Sequence, residues 1–208
     1  MEEVLYKEKR LGTRRPEILR AALELFARKG VRATTVKDIA RKARVAEGAL
    51  YRHWKSKKEL AEELFCENMK HFKACMEAEI EGFKGTKLRV KRVVGAFYTF
   101  AEKEPMVYRF LIQASLYELS YLLPRTSKPL DLFVRIIQEG IESGELKKVE
   151  PPLAAAFIIG AITKLPDFRE MGILKKELKD YIDPLIELLW EGLKARNGLG
   201  KTFPSWKG

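Results

Sequence analysis

The 208-residue sequence contains only two cysteines and no long apolar run. Cys66 and Cys75 are too few to build a disulfide framework, and their spacing is not that of a CxxC redox or zinc pair. The N-terminal segment MEEVLYKEKRLGTRR lacks an apolar stretch, and no segment reaches about 18 consecutive apolar residues. These absences argue against a signal peptide and a membrane span, so we expect a cytoplasmic protein that does not use a membrane.

The sequence also lacks the residue constellations that enzymes use. Its histidines are His53 and His71, and it contains neither a Gly-rich phosphate loop nor a nucleophile motif. Glu67, His71 and Cys75 recur every four residues, a spacing that offers ligands to a transition metal but also arises by chance. A tetrahedral site normally needs a fourth ligand, and none stands nearby. We therefore expect no catalytic activity, no cofactor and no bound metal.

Strand-like alternation is absent, whereas helical periodicity, interrupted by prolines and glycines, recurs along most of the chain. We predict an all-α protein in which an N-terminal three-helix helix-turn-helix domain (1–60) precedes a C-terminal helical domain (61–196) and a tail (197–208). The individual helices are expected at residues 16–29, 36–42, 46–54, 57–83, 87–103, 105–121, 129–143, 151–165 and 175–195.

Capping signals divide the N-terminal region into short helices. Thr35 followed by Asp38 is typical of a capping box that begins the second helix, and residues 43–45 form a very short link to the third. Ser56 followed by Glu59 predicts a second capping box at the start of a long helix. That helix has an apolar stripe in helical register, formed by Phe65, Met69, Phe72, Met76, Ile80 and Phe83.

Positive charge is concentrated in the same N-terminal region. Residues 1–60 contain 17 Lys and Arg against 8 Asp and Glu, whereas residues 61–208 contain 23 against 21. Because the excess lies within a helical pattern rather than in a simple polar tail, it favours a nucleic-acid partner over a purely solubilising role.

Residues 34–40, 43–54 and 56–60 read TTVKDIA, ARVAEGALYRHW and SKKEL. This succession closely resembles the DNA-binding signature of the TetR family of transcriptional regulators, over about residues 14–64 without a gap. The resemblance implies a regulator of transcription that binds double-stranded DNA. The DNA-binding residues predicted in this way are Thr34, Thr35, Arg44, Ala46, Glu47, Gly48, Ala49, Tyr51, Arg52, His53 and Lys57.

Four of these residues resemble the family's contacts to the DNA backbone. Thr34, Tyr51 and Lys57 have hydrogen-bond donors at the ends of predicted elements, and His53 stands beside Tyr51. A half-buried core position is the alternative for Tyr51, and a surface position without a role is the alternative for His53. Trp54 replaces the commoner Phe and is expected to fill the domain core.

The residues expected to read bases depart from the family pattern. Arg44 and Ala46 stand where the family commonly has Gly in the turn and Ser at the start of the recognition helix. Glu47 could accept a hydrogen bond from cytosine, favour the helix dipole or repel phosphate. Gly48 either lets the helix approach a base edge or packs tightly on the second helix. Arg52 fits a groove contact and a surface position equally, and we expect Ala46, Glu47 and Ala49 to face bases.

Two C-terminal segments, 153–162 and 181–190, are apolar over more than one helical face and need cover on two sides. Composition alone leaves open whether they are central helices of a monomeric bundle or pair with a second copy, and the resemblance implies the homodimer. The predicted interface residues are Phe157, Ile158, Ala161, Ile182, Leu185 and Leu189.

Aromatic residues are frequent between residues 97 and 133, where helical spacing usually indicates core. The resemblance adds a pocket for a small apolar or amphipathic effector that relieves repression at a palindromic operator by shifting the helix that begins at Lys57. The alternative is a DNA-binding protein without a pocket, of architectural or constitutive type. The predicted ligand-binding residues are Phe97, Phe100, Met106, Arg109, Tyr117, Phe133, Arg135 and Lys164.

Overall fold

The structure is a computed structural model that describes residues 14–125 and 129–195. Over these residues it contains helices and no β-strand, so the all-α prediction is confirmed. The predicted tail at 197–208 and the basic segment before residue 14 lie outside the described residues. The helices are α1 (Arg15–Lys29), α2 (Val36–Ala43), α3 (Glu47–Tyr51), α4 (Lys57–Ala78), α5 (Thr86–Lys103), α6 (Pro105–Gln113), α7 (Pro129–Glu142), α8 (Pro151–Glu170) and α9 (Ile182–Leu193).

Shorter helical segments occupy parts of the chain where longer α-helices were predicted. A π-helical segment, Ala114–Glu118, and a 3-10 helix, Ser120–Arg125, continue the chain after α6, where a single helix to residue 121 was expected. A second 3-10 helix, Leu178–Tyr181, precedes α9. In the part of the chain that the structure describes, no helix is both long and apolar enough to cross a bilayer.

The chain divides into two compact units, one built from residues up to 81 with 92–132 and the other from 82–91 with 133 onward. The first unit therefore includes α6, because Phe110 lies between Phe26 of α1 and Phe65 of α4, with ring centroids 5.8 and 6.4 Å away. Because α1 packs on α6 in this unit, the predicted boundary after residue 60 stays a prediction of where the DNA-binding region ends.

The capping signals place the N-terminal helices correctly. At α2 both halves of the capping box form: the Thr35 hydroxyl accepts from the Asp38 N–H, and the Asp38 carboxylate accepts from the Thr35 N–H. At α4 Ser56 accepts from the Glu59 N–H at 3.1 Å, whereas the Glu59 carboxylate accepts from Lys55 instead of Ser56. The second capping box is thus half formed.

Helix α4 ends five residues earlier than predicted. The guanidinium of Arg92 donates to the backbone carbonyl and the carboxylate of Glu79, which satisfies the end of the helix after Ala78. Phe83, the last residue of the predicted stripe, is consequently an exposed residue beyond the helix.

The second unit packs α7, α8 and α9 with the first turn of α5. Gly140 lets Thr86 approach closely, since a Cβ at Gly140 would lie 2.5 Å from the Thr86 hydroxyl oxygen. The Thr86 N–H donates to Glu145 at 2.9 Å. Helix α8 continues through Pro166 to Glu170, beyond the end expected at residue 165, and Gly172 with φ 73° follows it.

Candidate DNA-binding surface

The turn between α2 and α3 has left-handed backbone geometry at Arg44, with φ 57° and ψ 46°. Within the described residues Arg44 is the only non-glycine residue with positive φ. Its N–H donates to the carbonyls of Ala40 and Arg41 and so ends α2. A side chain in this conformation costs about 1–2 kcal/mol, which explains why glycine is common in such turns.

Helix α3 presents one face to solvent and buries the other. Leu50 is buried and Ala49 is 5% exposed, so the prediction that Ala49 faces bases is wrong: its methyl group packs inside the domain. The outward residues, here called the reading face, are Ala46, Glu47, Gly48, Tyr51 and Arg52. Tyr51 is 58% exposed, which excludes the alternative that it is a core aromatic.

Gly48 is open on the side where a side chain would stand. A Cβ built there meets no heavy atom within 4 Å. Tight packing against α2 therefore does not explain this glycine.

Thr34 occupies the interior of the loop between α1 and α2. It is completely buried, and its hydroxyl donates to the Gly30 carbonyl at 2.7 Å. The predicted phosphate contact by this side chain is wrong, because the hydroxyl has no exposed surface and its proton is already donated. Thr35 is exposed, and its side chain caps α2.

Lys57 is engaged with the same loop. Its ammonium donates to the carbonyls of Val31 at 2.6 Å and Arg32 at 3.3 Å, and also to that of Thr34. An ammonium has three N–H donors, so these contacts use all of them. We revise the prediction for Lys57 accordingly, from a phosphate clamp to a residue that shapes the loop ahead of α2.

Trp54 fills the domain core, as expected, and it shares a network that sequence reasoning missed. Its indole N–H donates to Glu63 at 2.8 Å, and the same carboxylate pairs with Arg15. The Arg15 guanidinium also lies 5.4 Å from the centre of the indole ring. His53 is half-buried with its ring 5.4 Å from that of Trp54. Glu63, a residue of α4, thereby links the start of α1 at Arg15 to the segment that follows α3 at Trp54.

Asp38 organises the start of α2 electrostatically. Lys29 donates to its carboxylate at 2.7 Å, and the backbone and side chain of Thr35 complete the arrangement. The hydrogen bond from Lys29, followed by those from Thr35, holds the pKa of Asp38 well below its usual range.

The predicted ligand-binding residues fall into several environments. Phe97 and Phe100 are buried in the first unit, where Phe72 lies 5.3 and 4.5 Å from them between ring centroids. Phe133 is buried in the second unit, Arg109 is exposed, and the side chain of Tyr117 lies outside the described part. Met106, Arg135 and Lys164 are exposed, and Lys164 pairs with Asp167 at 3.0 Å. Phe97 and Phe100 share Phe72 as a neighbour within the first unit.

The predicted dimer residues divide between the interior and the surface of the second unit. Ile158, Leu185 and Leu189 are buried within the same chain, and Ala161 and Ile182 are partly exposed. Phe157 is 54% exposed, and Leu188, which sequence reasoning passed over, is 75% exposed. The three buried residues lie on the side of each helix that packs against its own chain. Composition could not distinguish that side from the outer side, because both are apolar.

Glu67, His71 and Cys75 do not assemble as a metal site. Glu67 pairs with Lys70 at 2.9 Å, and the Cys75 sulfur lies 3.7 Å from the nearer His71 ring nitrogen. Across the described ranges no three metal-ligating side chains group together. Burial raises the pKa of the Cys75 thiol, which disfavours the thiolate that metals bind.

Comparison with known proteins agrees with this surface. Residues 18–64 match the sequence model of "Bacterial regulatory proteins, tetR family". The chain is 29% identical over 182 residues to the fatty acid metabolism regulator protein of Bacillus subtilis, which covers 85% of this chain and 94% of that protein. It is 32% identical over 143 residues to the HTH-type transcriptional repressor KstR2 of Mycobacterium tuberculosis, covering 64% of this chain and 70% of KstR2.

The fold is also similar to a crystal structure of the transcriptional regulator FadR from Bacillus subtilis in complex with stearoyl-CoA. The TM-score is 0.71 at 27% identity, and the match covers 85% of this chain and 97% of that one. These relatives are named regulators or repressors rather than enzymes. The chain belongs to the TetR family of transcriptional regulators.

Proposed function

We propose that this protein is a dimeric repressor that binds a palindromic operator through α3 and leaves it when a small amphipathic ligand binds. The reading face of α3 is the observation that carries the proposal. Glu47, Gly48 and Tyr51 project outward while Leu50 anchors the helix in the core. A short helix presented in this way fits the major groove, where base edges are distinguishable.

The exposed residues divide by the contact they suit. Gly48 permits close approach to the base edges, and Glu47 beside it suits the cytosine N4 amino group. Tyr51 and Arg52 are exposed at the end of α3, and Lys37 is exposed in the first turn of α2. Hydroxyl and cationic groups in these positions suit phosphates, which fix orientation without reading sequence. Affinity should therefore depend on the cations and operator choice on Glu47 and Gly48.

Dimerisation is supported by an apolar stripe on the outer side of α8 and α9. Leu153, Phe157 and Leu188 are each more than half exposed. Gly192 adjoins Phe157, whose ring lies 4.0 Å from the position of a Cβ at Gly192. Exposed large side chains beside a small residue are typical of a helix-pairing face. Binding to a palindromic operator would require the two reading faces of a two-fold dimer to lie about 34 Å apart, or a multiple of that.

An aromatic cluster in the first unit supports an apolar effector. Phe72, Phe97 and Phe100 pack together, and Tyr108 of α6 contacts Phe97 at 5.6 Å between ring centroids. Tyr98 is also buried, and in the described part of the chain its hydroxyl has no hydrogen-bond partner. A buried hydroxyl of this kind suits a ligand's polar group.

Helix α6 connects this cluster with the DNA-binding helices. Tyr108 contacts the cluster, and Phe110, two residues further on, contacts Phe26 of α1. A ligand that separated the aromatic rings would therefore displace a helix already packed on α1. The similarity to a protein that binds stearoyl-CoA leads us to propose a long-chain acyl thioester as the ligand class.

The test begins with selection of an operator from random duplexes, followed by displacement measured as fluorescence anisotropy of the labelled operator. Stearoyl-CoA should release the protein, whereas acetyl-CoA and free CoA should not, because they lack the long apolar chain. Failure to enrich any sequence would refute operator binding. Enrichment without displacement by stearoyl-CoA or free stearate would favour the alternative, a helix-turn-helix protein without a ligand pocket.

A further inference from the structure

The loop between α1 and α2, residues 30–34, receives a carboxylate from a distant part of the chain. Glu118, at the end of the π-helical segment, accepts hydrogen bonds from the N–H of Val31 at 2.8 Å and of Arg32 at 2.6 Å. The partners are 87 and 86 residues apart in sequence. Two backbone donors on one carboxylate make a charge-assisted pair, which is stronger and more directional than bonds between neutral groups.

The opposite side of the loop is held by the ammonium of Lys57. Its contacts to the carbonyls of Val31 and Arg32 complement those of Glu118 on the amides of the same two residues. The amides of Val31 and Arg32 thus bind an anion, and the carbonyls of the same two residues bind a cation. Neither side chain belongs to α1 or α2, so the loop geometry depends on where α4 and the π-helical segment lie.

Gly30 shows how closely the carboxylate is seated. Its backbone has φ 81°, and a Cβ there would lie 3.4 Å from each carboxylate oxygen of Glu118. The carboxylate therefore fits against the turn itself rather than hanging over an open surface. Thr35 follows this loop directly and caps α2, so the loop sets where α2 begins and how the reading face is oriented.

The π-helical segment is the element that brings Glu118 to the loop. The Leu119 N–H donates to the carbonyl of Ala114, five residues earlier, at 2.8 Å. In an ordinary α-helix this bond would span four residues, and each residue of register rotates a side chain by about 100° around the axis. Conversion of this turn to α-helix would withdraw Glu118, and α6, which leads into it, contacts both the aromatic cluster and α1.

We propose that Glu118 is a positioning residue for operator recognition: its bonds to Val31 and Arg32 hold the loop, and with it α2 and α3, in the operator-binding orientation. Movement of α6 acts on this contact through the π-helical segment. The inference rests on the proposed function, since it assumes that α3 reads an operator.

The experiment compares Glu118→Gln and Glu118→Ala with Glu67→Gln, a matched control that removes the same charge from an exposed pair on α4. Each is titrated with the selected operator and with a scrambled duplex of equal length. Glu118→Ala should bind the operator about tenfold more weakly, while binding to the scrambled duplex stays unchanged or strengthens, because a negative charge has been removed. Glu118→Gln should recover part of the loss, since its amide oxygen still accepts one bond, and Glu67→Gln should behave as wild type.

Hydrogen exchange supplies a readout that does not need DNA. The amides of Val31 and Arg32 should be protected in the wild type and should exchange at least about tenfold faster in Glu118→Ala. Operator affinity and amide protection that are both unchanged in Glu118→Ala would overturn the inference while leaving the proposed function intact. Equal weakening on operator and scrambled duplex would also overturn it, because that pattern indicates general loss of fold. If the wild type itself prefers no sequence, the proposed function fails instead.

Discussion

Gly48→Ala separates the two explanations of the glycine in α3 in a single protein. The added methyl group meets nothing within 4 Å in the free chain, so it should not disturb the fold. Alanine is favoured over glycine in a helix by up to about 1 kcal/mol, and less in the first turn of a five-residue helix, so we expect a gain of about 0.5 kcal/mol. For a chain of this size that corresponds to a rise in Tm of about 1–2 °C.

On the operator the same methyl group should be harmful, because it occupies the space into which a base edge fits. Overfilling a close contact costs about 1–3 kcal/mol, which corresponds to roughly a 5- to 150-fold increase in operator Kd. A scrambled duplex serves as the internal control, since phosphate contacts are not changed. Anisotropy titrations and thermal melts of the same preparations give both quantities. Unchanged operator affinity would contradict the placement of α3 against bases, and a Tm lowered by several degrees would restore the packing explanation.

Leu188→Asp should yield a monomer by sedimentation and lose operator binding without unfolding, because a charge would enter the proposed helix-pairing face. Ile173 is also exposed, so the control Ile173→Asp should remain dimeric. A dimeric Leu188→Asp protein would remove that face from the interface. Asp38 has a lowered pKa, so its interactions stabilise the fold above the unfolded value of about 3.9 and are lost as pH falls through the folded value. The difference in Tm between wild type and Asp38→Asn should thus be constant from pH 5 to 8 and shrink below about pH 4, and a constant difference down to pH 2 would contradict this assignment. Tyr98→Phe removes a buried hydroxyl without a partner in the described residues, so Tm should rise or stay level while displacement by stearoyl-CoA weakens; a clear fall in Tm would mean that the hydroxyl is paired.

Local signals predicted the parts of the fold that depend on neighbours in sequence. The Thr35–Asp38 capping box, the proline at the start of α1 and the periodicity of α4 correctly located helices, because capping and amphipathicity act within a few residues. The end of α4 was misplaced, since Arg92, which caps it, lies 13 residues away from Glu79. Helix existence could be predicted, whereas ends fixed by tertiary contacts could not.

The DNA-binding surface shows the same division between features set by sequence neighbours and features set by tertiary contacts. The outward positions of Glu47 and Tyr51 follow from the helix-turn-helix pattern, but the pattern did not reveal that Ala49 points inward on so short a helix. The donors of Thr34 and Lys57 were assigned to DNA from the family resemblance. Their partners in the structure are backbone carbonyls, which are present at every residue and give no sequence signal. Family resemblance locates a residue beside DNA without showing whether it contacts the DNA or supports the loop that does.

Two positions in the helix-turn-helix oppose local backbone preference. Arg44 has a side chain in left-handed geometry where glycine would cost less, and Gly48 lacks a side chain in a helix where alanine would be more stable and would fit. A glycine at position 44 and an alanine at position 48 would each stabilise the free chain, so the stability of the fold explains neither Arg44 nor Gly48. Departures of this kind concentrate at functional sites. Since Arg44 and Gly48 flank Ala46 and Glu47, we infer that the same DNA surface accounts for both, with a cation beside phosphate and a missing side chain beside a base.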